Sequence, residues 1–241
     1  MSIGEPKHHP PDFALEILSD QEKMRALLAT YPSTKGTTKL RQSISTWLKS
    51  RFSLEVDYET EILPVNGTRE ALFSFAQAVI SNKTNPIVIM PNPFYQIYEG
   101  AALLAGASTF FCSSFETNNY LQDFESIPSE TWRDTELIYI CSPANPTGKS
   151  LSDDQIEQLI GLAHQYDFTI AWGPVGLNWG FGLWLKPRLS HNNSHRLEPP
   201  FTQGWGRDRP SPNSAMAHSL AGVFLAMAFA GYGWLRPANP H

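Results

Sequence analysis

The sequence predicts an α/β fold built on a mostly parallel sheet with helices on both faces, and three observations carry that prediction. Short apolar runs such as Pro86 to Met90 and Glu136 to Cys141 lack the polar alternation of a half-exposed strand, so they read as strands buried on both sides. Between such runs lie longer stretches whose apolar residues recur every three or four positions, the spacing of a helix with one buried face. The two kinds of segment alternate along the chain, which implies parallel strands joined by covering helices.

Taken in order, Leu40, Ile44, Trp47 and Leu48 share one helical face. Glu61 to Val65 leads into Asn66-Gly67, after which Leu72, Phe75, Ala76 and Val79 form the face of a second helix. Pro86 to Met90 is a strand ended by Pro91-Asn92-Pro93. A helix from near Gln96 to Leu104 and a strand from Ser108 to Cys112 follow, then the strand Glu136 to Cys141. Ser152-Asp-Asp-Gln155 is a capping box, with Leu151 and Ile156 placed as its hydrophobic staple. That helix buries Ile156, Leu159, Ile160 and Ala163, and Phe168 to Ala171 begins a further strand. In sheets of this kind ligands bind at the carboxyl ends of the strands.

The character of the chain changes at residue 172. Residues 1–171 hold 12 basic and 21 acidic residues, whereas residues 172–241 hold 6 and 2. Five of the seven tryptophans, nine of the sixteen glycines and eight of the nineteen prolines fall in the last 70 residues. Periodicity stops at the same point: the run from Trp172 to Gly182 has neither repeat, and His191 to Pro212 reads as loop or disorder. Ala215 to Leu235 is almost wholly apolar and about long enough to cross a bilayer. Three readings of this tail compete: a second domain, a membrane anchor, and a shifted reading frame appended to an otherwise ordered chain. The abrupt joint change favours the third.

The net charge of -5 does not point to nucleic acid. Two cysteines, Cys112 and Cys141, without paired spacing, give no disulfide framework and no metal site, and read as buried core residues in a reducing cytoplasm. No signal peptide pattern follows Met1.

Four segments are candidates for chemistry. Asn66-Gly67-Thr68-Arg69-Glu70 opens a helix, where unpaired N–H groups and the dipole suit a phosphate, Gly67 admits close approach and Thr68 adds a hydroxyl. A strand–glycine–helix junction is also an ordinary turn. Pro93-Phe94-Tyr95 follows a strand end, where a tyrosine can lie on an aromatic ligand or simply fill the core. Asn145, between prolines in Ser142 to Gly148, can donate its amide to a ligand or merely form a turn. Tyr31-Pro32 and Gly36 alone mean little beyond a turn.

In this order the four segments resemble the class I/II, fold-type I aminotransferases. Ser2 to His8 and the block Pro91 to Gly106 are similar to proteobacterial N-succinyldiaminopimelate aminotransferases. The resemblance covers residues 2–171. It implies a partial α/β/α sandwich, the large domain of a fold-type I pyridoxal phosphate transferase, incomplete here. It also implies pyridoxal 5'-phosphate as cofactor. By resemblance the amides of Thr68 and Arg69, beside Gly67, hold its phosphate, Tyr95 stacks on its ring, Asn145 bonds its phenolic oxygen, and Gly36 lines the side of the substrate carboxylate. The implied reaction moves an amino group between an amino acid and a 2-oxo acid, with N-succinyl-LL-diaminopimelate and 2-oxoglutarate as the lysine-biosynthesis pair. The family's cytoplasmic homodimer is implied with it.

The sequence also departs from that pattern. Where the family has Ser-Asp-Glu-Cys-Tyr, Trp172-Gly173-Pro174 stands, so the acidic partner of the ring nitrogen is missing. His218-Ser219-Leu220 is followed by Ala-Gly-Val and not by the lysine that forms the Schiff base, and Lys186 is the one lysine after Lys149. The expectation is therefore a chain with no catalytic residue for transamination. It divides into an arm and small-domain remnant (1–36), a partial cofactor-binding domain (37–171) and an aberrant, disordered tail (172–241). A non-catalytic phosphate or cofactor binder and a protein anchored through 215–235 are the alternatives.

Overall fold

In the computed structural model the described residues are 9–80, 83–173, 181–185 and 223–228, the last two stretches by backbone alone. Three helices come first: α1 (Asp12–Ser19), α2 (Gln21–Leu28) and α3 (Thr38–Phe52). An alternating stretch follows: β1 (Ile62–Val65), α4 (Thr68–Val79), β2 (Ile87–Asn92), α5 (Ile97–Leu104), β3 (Ser108–Ser113), α6 (Ser129–Asp134), β4 (Thr135–Ile140), α7 (Asp153–Tyr166) and β5 (Thr169–Trp172). Two strands complete it, β6 (Phe181–Leu185) and β7 (Val223–Ala228).

The strands form one sheet in the order β1-β7-β6-β5-β4-β2-β3. The pairs β2–β3, β2–β4, β4–β5 and β1–β7 are parallel, and β6 is antiparallel to both of its neighbours. The mostly parallel α/β class expected from the alternation is the observed one.

Alternate residues of the central strands face two separate cores, as a pleated sheet requires. Ile89, Ile138, Ile140, Ile170 and Trp172 pack with Ile44 and Leu48 of α3 and with Ile156, Leu159 and Ala163 of α7. Val88, Met90, Leu137, Tyr139 and Ala171 pack with Leu72 and Ala76 of α4 and with Tyr98, Ala101 and Ala102 of α5. Every residue of β4 and β5 is buried, which explains the apolar runs Leu137–Ile140 and Ile170–Trp172 that follow their polar first residues.

The Ser152 capping box forms, its hydroxyl accepting from the Gln155 N–H at 3.3 Å. Leu151 and Ile156 are both buried in the same core, as a staple requires. Cys112 and Cys141 are free and buried. Burial pushes the Cys112 thiol up to about 12, so it stays protonated and inert.

The structure differs from expectation in four places. Strand β2 runs on through Pro91 to Asn92. Its pairing with β4 stops at Ile89, while β3 continues to pair as far as Asn92, so Pro91 sits where one ladder has already ended. The helices α1 and α2 were not expected; they bury no residue, so no core-facing stripe announces them. The six-residue α6 is too short to show a period, yet it buries Trp132. Finally, β5 includes Trp172, whose ring is in the core, so order extends one residue past the compositional break. Beyond it, β6 and β7 supply backbone to the sheet, and residues 191–212 lie outside the described residues. Of the apolar segment 215–235, residues 223–228 are β7 and the rest lies outside them. Among the described residues no helix is long and apolar enough to cross a membrane.

Candidate functional site

Strands β1, β2, β4 and β5 all end at the same edge of the sheet, because the pairings align them in one direction. The loops after β1, β2 and β4 carry Gly67–Arg69, Phe94–Tyr95 and Asn145, so the topology gathers the candidate residues that the sequence holds far apart.

Helix α4 begins at Thr68 with Gly67 as its N-cap, at φ 149 and ψ 147, and no side chain caps the helix. The N–H groups of the first turn have no partner within a helix and carry the positive end of its dipole. A Cβ built on Gly67 would meet nothing within 4 Å, so the backbone here lies open. Its φ is one that residues with a side chain rarely adopt. Thr68 is half-buried and Arg69 exposed.

Tyr95 and Arg69 are in contact. The Arg69 Nε–H donates to the Tyr95 hydroxyl at 2.6 Å, and the guanidinium carbon lies 5.7 Å from the ring centroid. Tyr95 meets Tyr98 edge-on at 5.8 Å, and Tyr98 stacks on Tyr139 at 4.3 Å with 9° between the planes. The Tyr139 hydroxyl donates to the Leu72 carbonyl of α4 at 2.7 Å. Burial raises both Tyr98 and Tyr139 well above the ordinary phenol value, so both are neutral donors. The Tyr98 hydroxyl is buried and has no hydrogen-bond partner among the described residues.

That hydroxyl lies 3.6 Å from where a Cβ on Gly173 would stand, beside Leu72. Gly173 follows β5, and its N–H donates to the Ile140 carbonyl at 2.8 Å. A side chain missing at 173 and a hydroxyl missing a partner thus occur together. Sequence reasoning did not single out Tyr98; the signal available was a second tyrosine three positions after Tyr95 in Phe94-Tyr-Gln-Ile-Tyr98.

Asn145 stands exposed on a loop closed by Ala144 N–H to the Lys149 carbonyl and by Gly148 N–H to the Ala144 carbonyl, both at 2.7 Å. No bond among the described residues joins it to Arg69 or Tyr95. Gly36 has φ 70, and a Cβ there would lie 2.8 Å from Pro64 Cγ in β1. Packing against the edge strand accounts for that glycine. Tyr31 is fully exposed.

The lysines with defined partners hold their ammonium groups elsewhere: Lys23 on Asp20, Lys49 on Glu55, Lys83 on backbone carbonyls and Lys149 on Asn119. Lys186 lies outside the described residues. Among the described residues no cluster of histidine, cysteine or carboxylates could hold a metal ion.

The fold and its carboxyl-edge site meet the known proteins at this point. The sequence profile of the class I and II aminotransferases matches residues 1–170, and the chain belongs to that family. The LL-diaminopimelate aminotransferase of Syntrophobacter fumaroxidans is 30% identical over 182 residues, which are 76% of this chain and 46% of that protein. The enzyme of the same name from Halothermothrix orenii is 30% identical over 246 residues, 95% of this chain and 62% of that one. An aminotransferase structure from Neisseria meningitidis superposes with a TM-score of 0.65 at 43% identity, over 70% of this chain and 42% of the other. The chain spans about half the length of the curated relatives it matches.

Members of the family use pyridoxal 5'-phosphate. The described residues fit its phosphate, at the open start of α4, and one face of its ring, at Tyr95. The four lysines with defined partners hold their ammonium groups on Asp20, Glu55, backbone carbonyls and Asn119, and residue 173 is a glycine without a carboxylate.

Proposed function

We propose that this chain binds pyridoxal 5'-phosphate with the phosphate on the N–H groups of Thr68 and Arg69 beside Gly67, and with the ring against Tyr95. The observation that carries the reading is the uncapped start of α4, opened by a glycine with clear space above it, next to an aromatic ring already held in place. Bound there, the cofactor supplies an electron sink for amino-group chemistry. The chain's own residues bind and orient it: the cradle takes the charge, Tyr95 shields one face, and the Asn145 amide donates to the ring oxygen. Gly36 borders the substrate carboxylate. Where the family pattern has its Schiff-base lysine, this chain has Ala221-Gly222-Val223 after His218-Ser219-Leu220, so in this reading it binds without transaminating.

The intact activity we infer is amino transfer between N-succinyl-LL-diaminopimelate and 2-oxoglutarate in lysine biosynthesis. The LL-diaminopimelate enzymes among its relatives support the pathway, and the block Pro91 to Gly106 supports the succinylated substrate. A cytoplasmic homodimer and the division at 36 and 171 belong to the same proposal.

The test is titration with pyridoxal 5'-phosphate, followed by borohydride reduction, peptide mass mapping and an assay for glutamate formation. We expect saturable binding that dialysis reverses, no stoichiometric pyridoxyl-lysine at one position, and no glutamate. Turnover with one stoichiometric lysine adduct would refute the non-catalytic reading, and absence of saturable binding would refute the cofactor site.

A further inference from the structure

A cradle made of backbone N–H groups leaves the Arg69 side chain unexplained. We propose that Arg69 is a positioning residue whose guanidinium fixes the Tyr95 ring as the platform for the cofactor ring, coupling the start of α4 to the loop after β2. The proposal rests on the reading that both elements hold one ligand.

The geometry supplies two walls for Tyr95. One is rigid: Tyr98 meets it edge-on at 5.8 Å, and Tyr98 is itself stacked on Tyr139 in the core. The other is Arg69, with its Nε–H on the hydroxyl at 2.6 Å and its guanidinium 5.7 Å from the ring centroid. A charge-assisted bond to the hydroxyl and a cation on the ring together restrict both rotation and tilt. Tyr95 is half-buried and Arg69 exposed, so without the pair the ring would be ordered at the expense of binding. Lysine would hold the ring less firmly, since its ammonium is a strongly hydrated point charge on a flexible stem where arginine offers a planar, preorganised group.

The probe is pyridoxamine 5'-phosphate, which needs no imine, titrated into the full chain by absorbance and by the circular dichroism induced in its band. Arg69→Met, Tyr95→Phe, the double variant and Arg69→Lys are compared, with inorganic phosphate as competitor. Each single variant is expected to weaken the probe about tenfold, and the double variant to be no weaker than the worse single one. Arg69→Lys does not restore affinity, the induced signal falls in every variant, and Tyr95→Phe leaves inorganic phosphate unaffected. Tyr95→Phe keeps the ring and so tests the pair with least risk to folding. Additive losses, or full rescue by lysine, would show Arg69 acting on the phosphate as a charge alone and would overturn the inference while leaving the cofactor site standing. No binding of the probe by the unaltered chain overturns the site and the inference together.

Discussion

Gly36 shows how one residue can satisfy two explanations. By resemblance it lines the substrate; by geometry it is where the chain passes so close to Pro64 that a Cβ would sit 2.8 Å from a ring carbon, at a φ of 70. The geometric constraint makes a prediction that needs no ligand. Gly36→Ala should destabilise the fold by about 1–3 kcal/mol through backbone strain and overlap with the edge strand. Urea denaturation would show this as a lower midpoint at constant slope; an unchanged midpoint would leave the substrate role as the reason for glycine. Gly67 is the contrasting case, since nothing stands above it. There the backbone angle, φ 149, asks for glycine and the open space leaves room for a ligand; the sequence could nominate Gly67, Thr68 and Arg69 but could not show that Arg69 reaches Tyr95. That contact spans 26 positions and depends on how α4 and the β2 loop are set on the sheet.

At the scale of elements, the ends of helices and strands are tied by a lysine that lies in sequence between Arg69 and Tyr95. Lys83, before β2, donates its ammonium to the carbonyls of Arg133 and Thr135 at 2.7 Å each and to that of Tyr166 at 3.5 Å. Its own N–H donates to the buried Glu136 carboxylate at 2.5 Å. One cation therefore ties the ends of α6 and α7 to the start of β4, in the manner that the carbonyl end of a helix dipole favours. Lys83→Met should cost about 2 kcal/mol, because charge-assisted bonds are lost and carbonyls are left unpaired. The change would appear in the denaturation midpoint, with Lys83→Arg intermediate; equal midpoints for all three chains would show that water satisfies these carbonyls as well. No spacing rule points to this residue, whereas the capping box at Ser152 was legible because both partners lie within one turn. The helices α1 and α2 were illegible for a related reason. Leu18, Leu28 and Ile17 remain at least half exposed, so their pattern refers to no core within the described chain.

For the whole molecule, the instructive strands are β6 and β7. They lie beyond the compositional break, and yet β7 is the neighbour of β1, with β6 linking it to β5. A chain ended at Gly173 would leave β1 without a strand partner and open the edge of β5. Unpaired edges of buried strands invite association with other chains. Such a truncation should therefore elute as larger species than the full chain and bind more of a hydrophobic dye. Unchanged elution and dye binding would mean that β1 is held well enough by α3 and α4 alone.

Local sequence was enough for the α/β class, for the place of most helices and strands up to Trp172, and for membership of a family whose motifs lie after β1, β2 and β4. These are local matters: period, punctuation and short-range capping are set by neighbours in the chain. Only the packed fold sets the loops after β1, β2 and β4 at one edge, brings Arg69 to Tyr95, and leaves the Tyr98 hydroxyl beside Gly173 without a partner among the described residues. It also pairs β7 with β1, so that Ile62 is opposite Leu225, 163 positions away (225 minus 62). Those facts depend on strand order and register, which arise from packing two helical layers against one sheet, and no local pattern encodes that packing.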